Sequence, residues 1–251
     1  IGMIQLAGQW KVNLETDNGV QAGDITLPGI LQAQGYGNQV SNSTEWISGL
    51  YDPFWYEQEE YKVEQEDGCQ VPFLSQPPLH FVGKAFYERE IEILEETKEE
   101  WILRIELTRW RTHLWIDDEY KGEDCSLCAA HEIVCGQLTA GKHKLRICVD
   151  NSMQYPYRPD GHGVSDALCA TWNGLVGEIV LLTQSEWEAR KQEKKNYAAE
   201  HPISIEARDG KFMVNGSPWY FRGTHFGGDY PLTGCPSTDK SWWLAKMRII
   251  Q

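Results

Sequence analysis

Three stretches of this chain alternate apolar and polar residues with a period of two: AFYEREIEI (85–93), WILRIEL (101–107) and KLRICV (144–149). Successive side chains of an extended chain point to opposite faces, so this period marks a strand with one buried side. The first stretch puts Tyr87, Arg89, Ile91 and Ile93 on one face, and Phe86, Glu88, Glu90 and Glu92 on the other. In the second, Trp101, Leu103, Ile105 and Leu107 share a side. In the third, Leu145, Ile147 and Val149 oppose Lys144, Arg146 and Cys148. HLWIDDEYKG (113–122) reads as two short strands around a turn at Asp117-Asp118, and VGEIVLL (176–182) as one more strand. Short strands at this spacing, separated by turn residues, predict a mainly β fold, a β-sandwich, over residues 1–184.

The remaining segments differ in kind. Residues 41–80 carry Trp46, Tyr51, Trp55, Tyr56, Tyr61 and VPFLSQPPLH, and read as a long aromatic loop. SEWEARKQEKKNYAAE is rich in helix formers without an apolar stripe, with a capping-box spacing from Ser185 to Glu188. With Pro202 disfavouring helical geometry at His201, residues 185–202 are expected to form an exposed helix or charged linker. Beyond it, Asp209-Gly210 and Asn215-Gly216 are tight-turn signals between strands. PSTDKSWWLAKMRIIQ (236–251) then offers Ser237 or Thr238 as N-cap, with Trp243, Met247 and Ile250 at helical spacing beside Leu244. Hairpin, strand, Gly-rich turn and amphipathic helix make the opening of a β/α unit. One such unit cannot bury its own faces, so the domain begun at 203–251 is expected to be incomplete.

The formal net charge is −14. Such a surface repels phosphate backbones, which argues against nucleic acid as a partner. No apolar run approaches the ~20 residues of a membrane-spanning helix. The chain opens IGMIQLAGQW, as expected if a leader has been trimmed. A trimmed leader would mean a periplasmic or secreted protein, and none a cytoplasmic one. Seven cysteines are odd in number and fit free thiols, several of them buried, better than a disulfide framework. Four residues, Cys125, Cys128, His131 and Cys135, have zinc-like spacing. They run into a strand, HEIVC, whose alternation separates His131 from Cys135, so no bound metal is expected, and no cofactor.

Six segments, in order, carry a resemblance: IQLAGQWKV (4–12), DITLPGILQAQGYG (24–37), FVGKAFYEREIEI (81–93), LWIDDEYKGE (114–123), ATWNGLVGEIVLL (170–182) and VNGSPWYFRGTHF (214–226). Together they resemble the N-terminal part of glycoside hydrolase family 2, the β-galactosidase, β-glucuronidase and β-mannosidase group. The resemblance implies a galactose-binding-like jelly-roll sandwich, the sugar-binding domain, followed by a (β/α)8 barrel. Only the opening hairpin, first strand and first helix of that barrel would fall within 203–251. It also implies hydrolysis of β-linked glycosides by two glutamates on later barrel strands, outside this chain, so that this chain alone is inactive. Two departures stand out. Too few residues separate Leu182 from Lys211 for the immunoglobulin-like domain usual in the family. An Arg-Gly-x-Asn-x-His pattern is replaced by Arg222-Gly223 followed by Thr-His-Phe-Gly-Gly-Asp, so the sugar stays open.

The resemblance also marks candidate residues. Asp166, Trp172 and Asn173, with His162 and Ser165 in the same loop, are candidates for substrate contact from the sandwich. His225 and Asp229 are candidates from the end of the first barrel strand, the face that carries the site in such barrels, and Arg222 reads as a structural ion-pair partner there. The aromatics of 46–61 either stack on sugar rings or pack on the sandwich. The functional reading is the sugar-binding portion of a glycosidase. A stand-alone carbohydrate-binding module and a purely structural brace are the alternatives. The expected partner is carbohydrate, held weakly by this chain, with self-association through 240–251.

Overall fold

The computed structural model describes residues 2–41, 43–45, 79–154 and 171–220. The aromatic run at 46–61, Asp166, and the expected barrel strand and helix beyond Tyr220 lie outside the described residues. In chain order the strands are β1 (Ile4–Gln5), β2 (Gly8–Thr16), β3 (Gly19–Leu27), β4 (Gly29–Ile30), β5 (Asn38–Gln39), β6 (Leu79–His80), β7 (Lys84–Ile93) and β8 (Trp101–Thr108). They continue with β9 (Arg111–Ile116), β10 (Glu119–Cys125), β11 (His131–Gly136), β12 (Gly141–Asp150) and β13 (Gly174–Thr183). Among the described residues, one antiparallel sheet runs β10-β9-β12-β7-β2-β3. A second runs β1-β13-β8-β11, with β4 also paired to β13.

The two sheets face each other as a β-sandwich, and the period-two pattern dictates what fills it. Trp10, Val12, Tyr87, Ile91, Leu145 and Ile147 enter from the first sheet; Trp101, Leu103, Ile105, Ile133 and Leu181 enter from the second. Each such side chain, fully removed from water, contributes about 1.5–3 kcal/mol. Arg89 shares the inward face of β7. Its guanidinium reaches the sandwich edge and donates to the carbonyls of Leu6 at 2.8 Å and Ala7 at 2.9 Å.

Part of the outer face of the second sheet is covered. Ile102, Val180 and Leu182 form a small apolar cluster with Met3 and Trp187. Trp187 belongs to α1 (Gln184–Glu200). Arg190 of the same helix donates to both carboxylate oxygens of Glu178, at 2.9 and 3.1 Å. The helix buries none of its residues fully, as its missing apolar stripe requires. Its cap differs from the expected one. Thr183, the last residue of β13, is the N-cap, and the reciprocal partner is Glu186. The strand runs straight into the helix, and the Ser185 amide is used by the Glu99 carboxylate at 2.8 Å. Glu188 instead accepts from Gln184 at 3.0 Å.

Past α1, β14 (Ile205–Arg208), β15 (Lys211–Val214) and β16 (Ser217–Trp219) form an antiparallel meander. Asp209 and Gly210, then Asn215 and Gly216, all take positive φ at its two turns, as the Asx-Gly pairs require. Ile205, Phe212 and Trp219 of the meander are exposed, while Met213 is buried.

The turn between β9 and β10 has Asp117 and Asp118 at φ 51° and 67°, and it is tied to β12. Asp117 accepts from the Lys144 amide at 2.8 Å and meets the His143 ring at 2.6 Å. Burial works against the Asp117 carboxylate, but the Lys144 amide and His143 hold it below its ordinary value. Burial likewise opposes charge on His143, but the Thr139 carbonyl and Asp117 hold it above its ordinary value. The histidine contribution is therefore complete below the unfolded histidine value and lost as pH rises through the raised folded one. The aspartate contribution is complete above the unfolded carboxylate value and lost as pH falls through the lowered folded one. The pair is at full strength between about pH 4 and pH 6.5. In Asp117→Asn, the His143 titration midpoint followed by NMR should fall; an unchanged midpoint would show that the contact does not persist in solution.

Candidate functional site

Both described candidates, Trp172 and Asn173, sit at one end of the sandwich, just before β13 begins at Gly174. Their surroundings are polar and buried. Asn173 is fully buried, Gln32 and Asn151 nearly so, and Thr171, Asp150 and Arg109 are buried beside them. Buried amides are tolerated only when hydrogen-bonded, and here each is. Asn173 accepts from the Tyr87 hydroxyl at 2.7 Å and donates to the carbonyls of Val149 at 3.0 Å and Gly83 at 3.3 Å. Asn151 donates to the carbonyls of Phe81 at 2.8 Å and Trp172 at 3.1 Å, and accepts from the Gly83 amide at 2.8 Å. Gln32 donates to the Thr171 carbonyl at 3.2 Å. Burial pushes the Tyr87 phenol well above its ordinary value, which keeps it protonated and a donor to Asn173.

Local sterics explain the residues that follow Asn173. A side chain at Gly174 would meet the Gly29 carbonyl oxygen at 2.3 Å, so only glycine lets β4 approach β13. Gly177 takes φ +75°, and a side chain there would strike the Glu106 carboxylate at 2.5 Å. That carboxylate accepts from the Glu178 amide at 2.7 Å within the irregular register of β13. Within WNGLVG, Asn173, Gly174 and Gly177 are thus each tied to a particular contact.

The structure brings Trp172 and Asn173 together but gives them interior roles. Trp172 is 6% exposed and packs with Ile30, Leu107 and Val176, with the Arg109 guanidinium 5.7 Å from its ring. Asn173 spends both amide donors inside. Arg222, His225 and Asp229 lie outside the described residues, as does Asp166. Tyr87, Asn151, Gln32 and Arg109 are the members that sequence reasoning missed. Asn151 had one local signal, an Asn directly after the strand KLRICVD.

The zinc-like set is dispersed. His131 is fully buried and uses both ring nitrogens, toward the Thr112 hydroxyl at 2.9 Å and the Ser126 backbone at 3.0 Å; burial holds its pKa below the ordinary value. Cys135 lies on the same inward face, four residues along at roughly 3.3 Å each. Alternation therefore does not put the two on opposite faces; distance along the strand separates them. Burial pushes the Cys135 thiol up to about 12, so it stays protonated. Among the described residues, no three His, Cys, Asp or Glu side chains converge as metal ligands, and Cys125, Cys128, Cys135 and Cys148 are free thiols.

No known family model matches the chain, and neither does any curated protein. Among solved structures it is similar to a GH2 β-galacturonidase from Eisenbergiella tayi bound to galacturonate, with TM-score 0.43, 16% identity, and coverage of 72% of this chain and 24% of that one. It is also similar to a β-glucuronidase from an uncultured Clostridium sp., with TM-score 0.43 and 12% identity, covering 85% of this chain and 32% of that one. A β-glucuronidase from Ruminococcus gnavus in complex with D-glucaro 1,5-lactone gives TM-score 0.44 and 10% identity, over 72% of this chain and 29% of that one. The chain spans about a quarter to a third of these proteins. At such TM-scores the likeness assigns neither family nor activity.

Replacing Asn173 by Ala strips partners from the Tyr87 hydroxyl and from the Val149 and Gly83 carbonyls. Urea unfolding should show a loss of about 3 kcal/mol, since a buried polar group left unpaired costs about 1–3 kcal/mol. In a Tyr87→Phe background the same replacement should cost clearly less. Equal costs in both backgrounds would mean the two side chains do not interact.

Proposed function

We propose that this chain is the sugar-binding portion of a glycoside hydrolase acting on β-linked glycosides. The two carboxylates that retaining hydrolysis needs, about 5–5.5 Å apart, lie outside residues 1–251. The single observation that carries this reading is the segment ATWNGLVGEIVLL. It resembles the strand that closes the sugar-binding domain of glycoside hydrolase family 2, and Asn173, Gly174 and Gly177 within it each meet a steric or hydrogen-bonding demand of the sandwich end. The family pattern and the physical requirement thus fall on the same residues.

On this reading, Asn173 and Trp172 hold the base of the loop that carries Asp166, and Asp166 reaches the sugar. His225 and Asp229 contact it from the first barrel strand, with Arg222 bracing that strand. The sandwich supplies one side of a pocket whose other walls come from the barrel. Free monosaccharides therefore bind this chain weakly, above about 1 mM, because an open wall provides few orienting hydrogen bonds and little exclusion of water. Residues 240–251, with their apolar stripe, pair with barrel neighbours or with a second copy of the chain.

The test uses two proteins: the 251-residue chain, and the product of the complete reading frame of its gene. Both are assayed on a panel of nitrophenyl α- and β-glycosides. The chain alone should release no nitrophenol. The complete product should hydrolyse a β-glycoside with retention of configuration, read by NMR of the first-formed anomer. Turnover by the 251-residue chain that disappears on replacing one of its own Asp or Glu residues would sink the proposal. So would a complete product that cleaves no glycoside.

A further inference from the structure

The two outer faces of the sandwich are treated differently. That of the second sheet carries α1, whereas on that of the first Lys11, Asn13, Ala22 and Asp24 are exposed. This exposed face nonetheless carries an ordered row. Tyr120, Trp115, Arg146, Glu88, Lys11 and Asp24 stand directly opposite one another, strand to strand, from β10 to β3. The Arg146 guanidinium lies 4.5 Å from the Phe86 ring and 5.5 Å from the Trp115 ring. Trp115 and Tyr120 are 5.3 Å apart.

On the far side of Phe86 from this arginine, the sheet surface dips. The depression measures about 190 Å³ and is lined by Lys11, Val12, Asn13, Ala22, Gly23, Phe86 and Glu88. Its shape follows from sequence. Asn13 stands opposite Ala22 on β3 and Phe86 on β7, so the three share the outer face. Ala22 is small, whereas Phe86 stands up as a wall. Asn13 is exposed, with its amide open to solvent. Lys11 is held toward Asp24 at 2.5 Å, and Glu88 lies 3.3 Å from both Lys144 and Arg146.

We propose that this depression is a surface site for one ring of a neutral glycan chain, separate from the sandwich end described above. Phe86 offers an aromatic wall to the apolar face of the ring. Around the rim stand a cationic donor, an amide that donates and accepts, and a carboxylate acceptor, a set suited to hydroxyls that do both. The volume is below the roughly 300–1,000 Å³ of pockets for drug-sized ligands, which fits one sugar ring and no cofactor. The two charged lining residues, Lys11 and Glu88, are of opposite sign and each has a partner, and the chain as a whole carries −14, so the site disfavours anionic ligands such as phosphates and polyuronates. The row of Trp115 and Tyr120 extends the surface across the strands, the direction in which further rings of a chain would lie.

This inference does not rest on the hydrolase reading. Its test is a titration of the 251-residue chain with cellotetraose, xylotetraose and β-1,4-galactotetraose, each to about 20 mM, followed by ¹H–¹⁵N NMR. One of the three should shift the amides of Lys11, Asn13, Ala22, Gly23, Phe86 and Glu88, saturating with a Kd of about 1 mM. Asn13→Ala and Phe86→Ala should each weaken binding by about tenfold or more. Asn13 is exposed, so its variant keeps the test valid if Phe86→Ala fails to fold. No shift in this group with any of the three sugars overturns the proposal. Shifts confined to the Trp172–Asn173 end, or unchanged affinity in Asn13→Ala, overturn it as well.

Discussion

The side chain of Asn173 joins the two sheets at the point where the sandwich would otherwise open. It precedes β13 of one sheet, accepts from Tyr87 on β7 of the other, and donates to the Val149 carbonyl on β12. Inside the protein, where the effective dielectric is low, such bonds are stronger than in water, and an unmade one is costlier. Asn151 repeats the device one step away, tying the chain at Phe81 and Gly83 to the chain at Trp172. Three stretches of backbone, at 81–83, 149–151 and 172–173, are held together by these two amides. The apolar layer between the sheets supplies the bulk of the stability but has no direction of its own. The amides set the register at this end.

The pattern of strands was legible because it is local. Alternation in 85–93, 101–107 and 144–149 needed only neighbouring residues, and it fell on β7, β8 and β12 with the expected faces inward, except that Leu107, beside the register shift against β13, packs with Trp172 and Val176 instead of the main core. The turns at Asp117-Asp118, Asp209-Gly210 and Asn215-Gly216 were legible for the same reason, since positive φ is a property of one or two residues. The helix cap was misplaced by two residues. Ser185 and Glu188 have the right spacing, but β13 runs on to Thr183, and Thr183 with Glu186 has the same spacing and the strand end besides.

The polar sandwich end was not legible. Tyr87 and Asn173 are far apart in sequence, and nothing near either residue announces the other. An Asn beside a Gly reads locally as a turn, and a Tyr on an inward face reads as core. His131 posed the opposite problem: its spacing from three cysteines is zinc-like, while its nitrogens are used by Thr112 on β9 and by the Ser126 backbone within the pattern itself. Hydrogen bonds to partners that the spacing does not announce decide both cases.

The passage from β13 to α1 has no intervening loop. Thr183 ends the strand and caps the helix, and the Arg190–Glu178 pair and Trp187 fix the first helical turns against the sheet. A joint of this kind is a splint, not a hinge. To swing the helix, the chain must break the cap and the ion pair, and expose the cluster under Trp187, all at once. Displacement at the base of the helix is therefore shared with the sheet beneath it, and torque on one is felt by the other.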